Sequence, residues 1–128
     1  MENLVREYMQ VEAEYNHWKE KREFLTKRRP EIPITFDSLE EAKRFKVMVD
    51  DYEDELKVVK DKMHECLLQQ ATLGKEILNL LPIRNVWVRA GDYAVGFYYD
   101  VWGGGHYELS VKPWNDNLPK LVDHTYYA

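Results

Sequence analysis

Residues 37–80 read DSLEEAKRFKVMVDDYEDELKVVKDKMHECLLQQATLGKEILNL, and their spacing decides the fold. Ala42, Phe45, Val49, Tyr52, Leu56, Val59, Met63, Cys66, Gln70, Leu73, Ile77 and Leu80 recur at alternating three- and four-residue intervals. A sustained 3.5-residue apolar repeat marks a helix that buries a narrow stripe against a neighbouring helix. The same spacing fills the N-terminal stretch in Leu4, Tyr8, Val11, Tyr15, Trp18 and Leu25, broken only by Arg22.

The first helix is expected from about residue 2 to about residue 28. Lys27, Arg28 and Arg29 crowd its last turn, where cations meet exposed carbonyls favourably, and Pro30 and Pro33 stop it. The second begins near Asp37 or Ser38, where Ser38 with Glu41 and Asp37 with Glu40 both have capping-box spacing. It runs to about Leu80, with Gly74 as an interior weak point and Pro82 as the stop. At 1.5 Å per residue the second helix is on the order of 60 Å long and the first about 40 Å. An antiparallel, coiled-coil-like hairpin therefore leaves part of the longer stripe, between Val49 and Ile77, without a partner inside the hairpin, for the β segment to cover in part and another subunit the rest. A homo-oligomer built through the long helices is the expected consequence, with Leu56 and Val59 inside the assembly.

Beyond the helices the period changes to 2. Residues 85–90, 93–102 and 106–114 read as three strands joined by Gly91-Asp92 and by Gly103-Gly104-Gly105. After a turn at Asp116, Asn117 and Pro119, the segment 121–127 reads as a further short strand or a docking segment. The expected fold is α+β, with a long N-terminal helical hairpin over 1–82 and a small antiparallel β-meander over 83–128, in a single folded unit.

Alternation sorts the strands into two faces. Val86, Val88, Tyr93, Val95, Phe97, Tyr99, Val101, Tyr107, Leu109 and Val111 form an apolar face suited to packing on helices. The other face carries Trp87, Arg89, Ala94, Gly96, Tyr98, Asp100, Trp102, His106, Glu108, Ser110, Lys112 and Trp114. Tryptophans are not the usual furniture of a solvated face. Rings beside Arg89, Lys112 and His106 suit the stacking of planar bases and the holding of phosphates, with Arg84 nearby. Ala94 and Gly96 leave a floor on which a flat ligand has room. The candidate ligand residues are Arg84, Trp87, Arg89, Gly96, Tyr98, Trp102, His106, Lys112 and Trp114. Burial of this face against another subunit is the competing reading.

Composition narrows the function classes. A formal charge of −5 argues against a general nucleic-acid binder. The lone Cys66 rules out an internal disulfide and fits a reducing, cytoplasmic setting. The start Met-Glu-Asn, running straight into charged heptads, reads as no signal peptide, and no apolar run approaches the roughly 20 residues of a membrane span. His64 and Cys66 stand two apart on a helix and point in different directions, and the four histidines have no zinc spacing. No Walker A loop, nucleophile elbow or HExxH sequence is present, and the three glycines lead into a strand instead of a helix. The acidic run Asp50, Asp51, Glu53, Asp54 and Glu55 reads as a solvated helix face. Asp100, His106 and Glu108 share a face without a nucleophile or a metal beside them. No catalytic residue, metal or cofactor is expected, and the chain reads as a non-enzyme.

A long helical pair followed by an aromatic-rich antiparallel sheet in a small acidic chain resembles the anti-Thoeris sponge family encoded by phages. The resemblance is one of organisation over most of the chain and assigns no residue a role. It implies a homo-oligomeric protein, in the cytoplasm of the phage's host, that sequesters cyclic ADP-ribose-like or cyclic oligonucleotide immune signals without degrading them. The organisation is similar, equally generally, to phage nuclease inhibitors of the Gam type. The alternative function is therefore a protein–protein inhibitor or coiled-coil assembly factor acting on a host enzyme.

Overall fold

The computed structural model describes residues 1–100 and 105–121, and the side chains of all of these except Tyr99 and Asp100. Two helices, α1 (Glu2–Lys27) and α2 (Leu39–Leu80), precede three strands, β1 (Trp87–Ala90), β2 (Tyr93–Asp100) and β3 (His106–Pro113). The strands pair antiparallel in the order β1-β2-β3. The architecture is α+β with a C-terminal β-meander, as the change of period predicts.

Local chemistry sets the element ends. Ser38 Oγ accepts the Glu41 amide at 3.2 Å, while the Glu41 carboxylate accepts the Asp37 amide at 3.0 Å. The first bond satisfies one of the orphan donors at the start of α2, and the second ties down the residue before the cap. At the end of α1, Arg28 and Arg29 donate to the carbonyls of Leu25 and Thr26, tightening the last turn before Pro30. Asn85 adopts φ 64° and donates its amide to the Phe97 carbonyl at 2.8 Å. That left-handed residue delays β1 to Trp87, two residues later than alternation suggests. Gly91, at φ 60°, supplies the positive φ that a tight hairpin turn needs.

Every expected stripe position of α2 from Ala42 to Ile77 is buried or half-buried. Leu80 is not: it is 52% exposed, and Leu81, where the chain leaves the helix, packs on the core instead. The chain divides into two compact units, Met1–Val11 with Gln69–Ala128, and Glu12–Leu68. This division differs from the 82/83 boundary drawn from the sequence, because the sheet packs on both the start of α1 and the end of α2.

In the first unit Val5, Ile77, Ala90 and Val95 form the buried core, with Leu4, Tyr8, Tyr93, Leu109 and Val111 against it. Val5 lies one residue off the heptad stripe and was not expected there. Gly74 faces Tyr8 and Leu109, and an added Cβ would sit 3.8 Å from each. In the second unit Leu25, Val59 and Met63 are buried, with Tyr15, Trp18, Tyr52 and Leu56 packed on them. In the stretch of α2 from Val49 to Ile77, Val49, Tyr52, Leu56 and Gln70 are half-buried and the other stripe positions are buried within the single chain. Val59, Met63, Cys66, Leu73 and Ile77 are at most 7% exposed. In the first unit the sheet and the first turns of α1 cover the end of α2, the part of the stripe expected to meet the β segment. Among the described residues, no helix is long and apolar enough to cross a membrane.

Candidate functional site

Strand register builds the polar-aromatic face as expected. Trp87 pairs with Gly96 and Gly96 with Ser110, Arg89 with Ala94 and Ala94 with Lys112, and Tyr98 with Glu108. Directly paired residues share a face, so these three rows lie side by side.

The cations of this face stack on its rings. The Arg89 guanidinium lies 5.0 Å from the Trp114 ring centre, and Lys112 Nζ lies 5.6 Å from that of Trp87. Each such contact is worth about 0.5–1 kcal/mol at an exposed site. Arg89 Nε also donates to the Gly91 carbonyl at 3.1 Å. Both cations remain exposed to solvent while the two indoles are half-buried. The Trp114 amide donates to the Asp92 carbonyl at 2.8 Å, which fixes where its ring emerges beside β1.

The floor expected at Gly96 is not open. After the turn at residues 115–117, where the Asn117 amide bonds to Asn115 Oδ1, the chain returns across this face. Trp87 Nε1 donates to the Pro119 carbonyl at 2.7 Å. A Cβ on Gly96 would lie 2.5 Å from Leu121 Cδ1 and 3.1 Å from the Trp87 ring. Gly96 is therefore small because its own chain packs over it, and Ala94 beside it is fully buried. Sequence alternation shows which residues share a face but not which distant segment folds back upon it.

At the other end of the face a carboxylate gathers two partners. Tyr98 donates to Glu108 Oε2 at 3.3 Å, and His106 Nε2 lies 2.8 Å from Glu108 Oε1. Arg84 does not join this face. Its guanidinium stacks over Tyr107, 4.9 Å from the ring centre, and Tyr107 stacks in turn with Phe97 on the opposite, apolar face. Residue 84 has the parity of Val86 and Val88, so alternation already assigns it to that side. Trp102, with Gly103 and Gly104, lies outside the described residues, as does most of the expected segment 121–127.

Elsewhere the chemistry is sparse. Among the described residues, no three His, Cys, Asp or Glu side chains converge as a metal site. Cys66 is a buried free thiol, and burial first, then the charges of Glu14 and Glu65, push its pKa above the usual thiol value. The sequence reading passed over a cavity of about 390 Å³ in the helical unit, lined by Arg22, Arg29, Lys60 and Tyr52 among others. The break at Arg22 in the first stripe was its only signal.

No protein-family model, curated protein or solved structure matches the chain.

Proposed function

We propose that the chain is a non-catalytic protein that captures a nucleotide signal on the polar-aromatic face of its sheet and holds it intact. The observation that carries this reading is the pair of stacked cations, Arg89 on Trp114 and Lys112 on Trp87, in one region of one face. A base stacking on an indole contributes about 1–3 kcal/mol, and Arg or Lys beside it supplies charge-assisted hydrogen bonds to phosphate. With Gly96 covered, the ligand lies at the rim over Trp114, Arg89 and Lys112, not on a glycine floor. Cyclic ADP-ribose-like molecules and cyclic oligonucleotides are the ligand classes that the resemblance to anti-Thoeris sponges suggests, and a phage anti-defence role in the host cytoplasm follows from the same resemblance.

In this reading the two helices form a coiled-coil hairpin that serves as scaffold. Copies of the chain, if they associate, do so through side chains outside the buried stripe, such as Val58 and Leu68, which are 54% and 58% exposed. The test is a calorimetric titration of the protein with cyclic dinucleotides, cyclic trinucleotides and ADP-ribose cyclisation products. Saturable binding with the ligand recovered unchanged is expected; turnover of the ligand, or no heat with any of them, contradicts the proposal.

One observation favours a second reading, a protein-binding inhibitor or assembly factor. The connection between the helices and the first residue of α2 leave Ile32, Ile34 and Leu39 at least 71% exposed, near the tilted ring pair of Phe36 and Phe45. A concentration of apolar side chains in water is a common mark of a protein-binding surface. Recovery of a stoichiometric protein partner whose binding is lost on Ile34→Asp, together with a null nucleotide titration, supports this second reading.

A further inference from the structure

We propose that the cavity near the C-terminal end of α1 is a second, anion-binding site, taking a phosphate ester with an apolar or aromatic end on Arg22, Arg29 and Lys60. The argument begins with the misfit of Arg22. Tyr15, Trp18, Arg22 and Leu25 continue the stripe at three-, four- and three-residue intervals along one helix face, and Arg22 is half-buried at a position where an apolar side chain would pack better. Among the described residues, no carboxylate forms an ion pair with its guanidinium, while its main-chain carbonyl accepts a hydrogen bond from the Thr26 hydroxyl at 2.8 Å. A partly desolvated cation without a counter-charge is unfavourable, and an anion in the cavity removes that cost.

Arg22 opens on a cavity of about 390 Å³ that Arg29 and Lys60 also line. This volume is within the roughly 300–1,000 Å³ of small-molecule sites. Three cations against the single carboxylate of Glu53 give the cavity a positive balance, in a chain whose net charge is −5. Nearby Arg28 is occupied differently, 4.0 Å over the Phe24 ring; of the three cavity cations Arg22 is half-buried and Arg29 and Lys60 are exposed. Tyr52 and Leu56 line the same cavity and give a ring or an apolar group something to rest on. One turn before Arg22, the buried Trp18 indole N–H has no acceptor among the described residues, a second unmet donor on the same helix face. Multiply charged phosphate suits this set best, because two guanidinium forks and an ammonium distribute several donors over several oxygens.

The proposal does not rest on the sheet site, and its test separates the two. Wild-type protein is titrated with inorganic pyrophosphate and with ADP at matched ionic strength, alongside Arg22→Leu, Arg29→Gln, Lys60→Gln and Arg89→Ala. Saturable binding of pyrophosphate is expected, with ADP tighter. Arg29→Gln and Lys60→Gln each weaken it about tenfold, and Arg22→Leu abolishes it while raising the melting temperature of the ligand-free protein by a few degrees, since Leu completes the stripe. Arg89→Ala leaves pyrophosphate binding unchanged. The proposal is overturned if pyrophosphate gives no more than the salt control, if Arg22→Leu binds like wild type, or if Arg22→Leu lowers the melting temperature. Loss of pyrophosphate binding in Arg89→Ala alone transfers the phosphate to the sheet and overturns the cavity site while leaving the sheet proposal standing. ADP no tighter than pyrophosphate removes the aromatic end from the proposed ligand.

Discussion

Adding a methyl group at Gly96 tests how the polar-aromatic face is covered. The new Cβ of Gly96→Ala would stand 2.5 Å from Leu121 Cδ1 and 3.1–3.2 Å from two Trp87 ring carbons. Leu121 is the free end of a side chain and can rotate away, giving up contact worth about 1 kcal/mol. Trp87 is held by its 2.7 Å bond to the Pro119 carbonyl, and moving it far enough to break that bond loses about another 1 kcal/mol. Gly96→Ala should therefore destabilise the protein by about 1–2 kcal/mol. Gly96→Val adds two further methyl groups and should cost about 3 kcal/mol, the β-propensity of valine offsetting less than ~1 kcal/mol of it. Urea unfolding followed by tryptophan fluorescence reads both values. In a Leu121→Ala background the Gly96→Ala cost should fall by about 1 kcal/mol, because the first contact is gone. A neutral Gly96→Ala, or an undiminished cost in that background, refutes the argument that the C-terminal segment packs on this glycine.

Three other substitutions and conditions follow from the packing. Val59→Asp, at 1% exposure, should cost about 3–5 kcal/mol by urea denaturation, whereas Val58→Asp, next to it and 54% exposed, should stay within about 0.5 kcal/mol. Gly74→Ala should raise stability by about 0.5–1 kcal/mol, since the helix gains a better former and the methyl meets Tyr8 and Leu109 at ordinary contact distance; an unchanged or lower unfolding midpoint contradicts this. Cys66 should react with a thiol reagent far more slowly in the native protein than in denaturant. Its folded pKa is raised, chiefly by burial, so the folded state retains the proton longer than the unfolded state. Its contribution to stability should then be unaffected below the ordinary thiol pKa and decline as pH rises through and above it, a slope that Cys66→Ala should remove.

Much of the fold follows from two periods. The 3.5-residue repeat placed the interior side chains of α2 from Ala42 to Ile77 because a helix presents i, i+3 and i+4 on one side whatever packs there. It failed at Val5 and Leu80 for one reason: near the sheet the helices meet a broad surface, and residues beside the stripe, Val5 and Leu81, turn inward. Alternation likewise paired Trp87 with the row of Gly96 and Arg89 with that of Lys112. What it could not supply was the return of residues 119–121 over Gly96, a long-range contact with no local periodicity. The turn at Asn115–Asn117 was legible; its destination was not. Arg84 was grouped by closeness in sequence, although parity assigned it to the apolar side where it stacks on Tyr107. The helical cavity went unread because Arg22 registered as an interruption of a pattern and not as a charge left without a partner.

The four tryptophans provide the most direct test of nucleotide capture, since each contributes one indole N–H signal to a nitrogen-15 correlation spectrum. Titration of the labelled protein with cyclic ADP-ribose isomers and cyclic oligonucleotides, after assignment by single substitution, should shift the Trp114 and Trp87 indoles progressively with one ligand class and leave Trp18 in place. Spectra in which no ligand moves Trp114 or Trp87 contradict nucleotide binding at the sheet face.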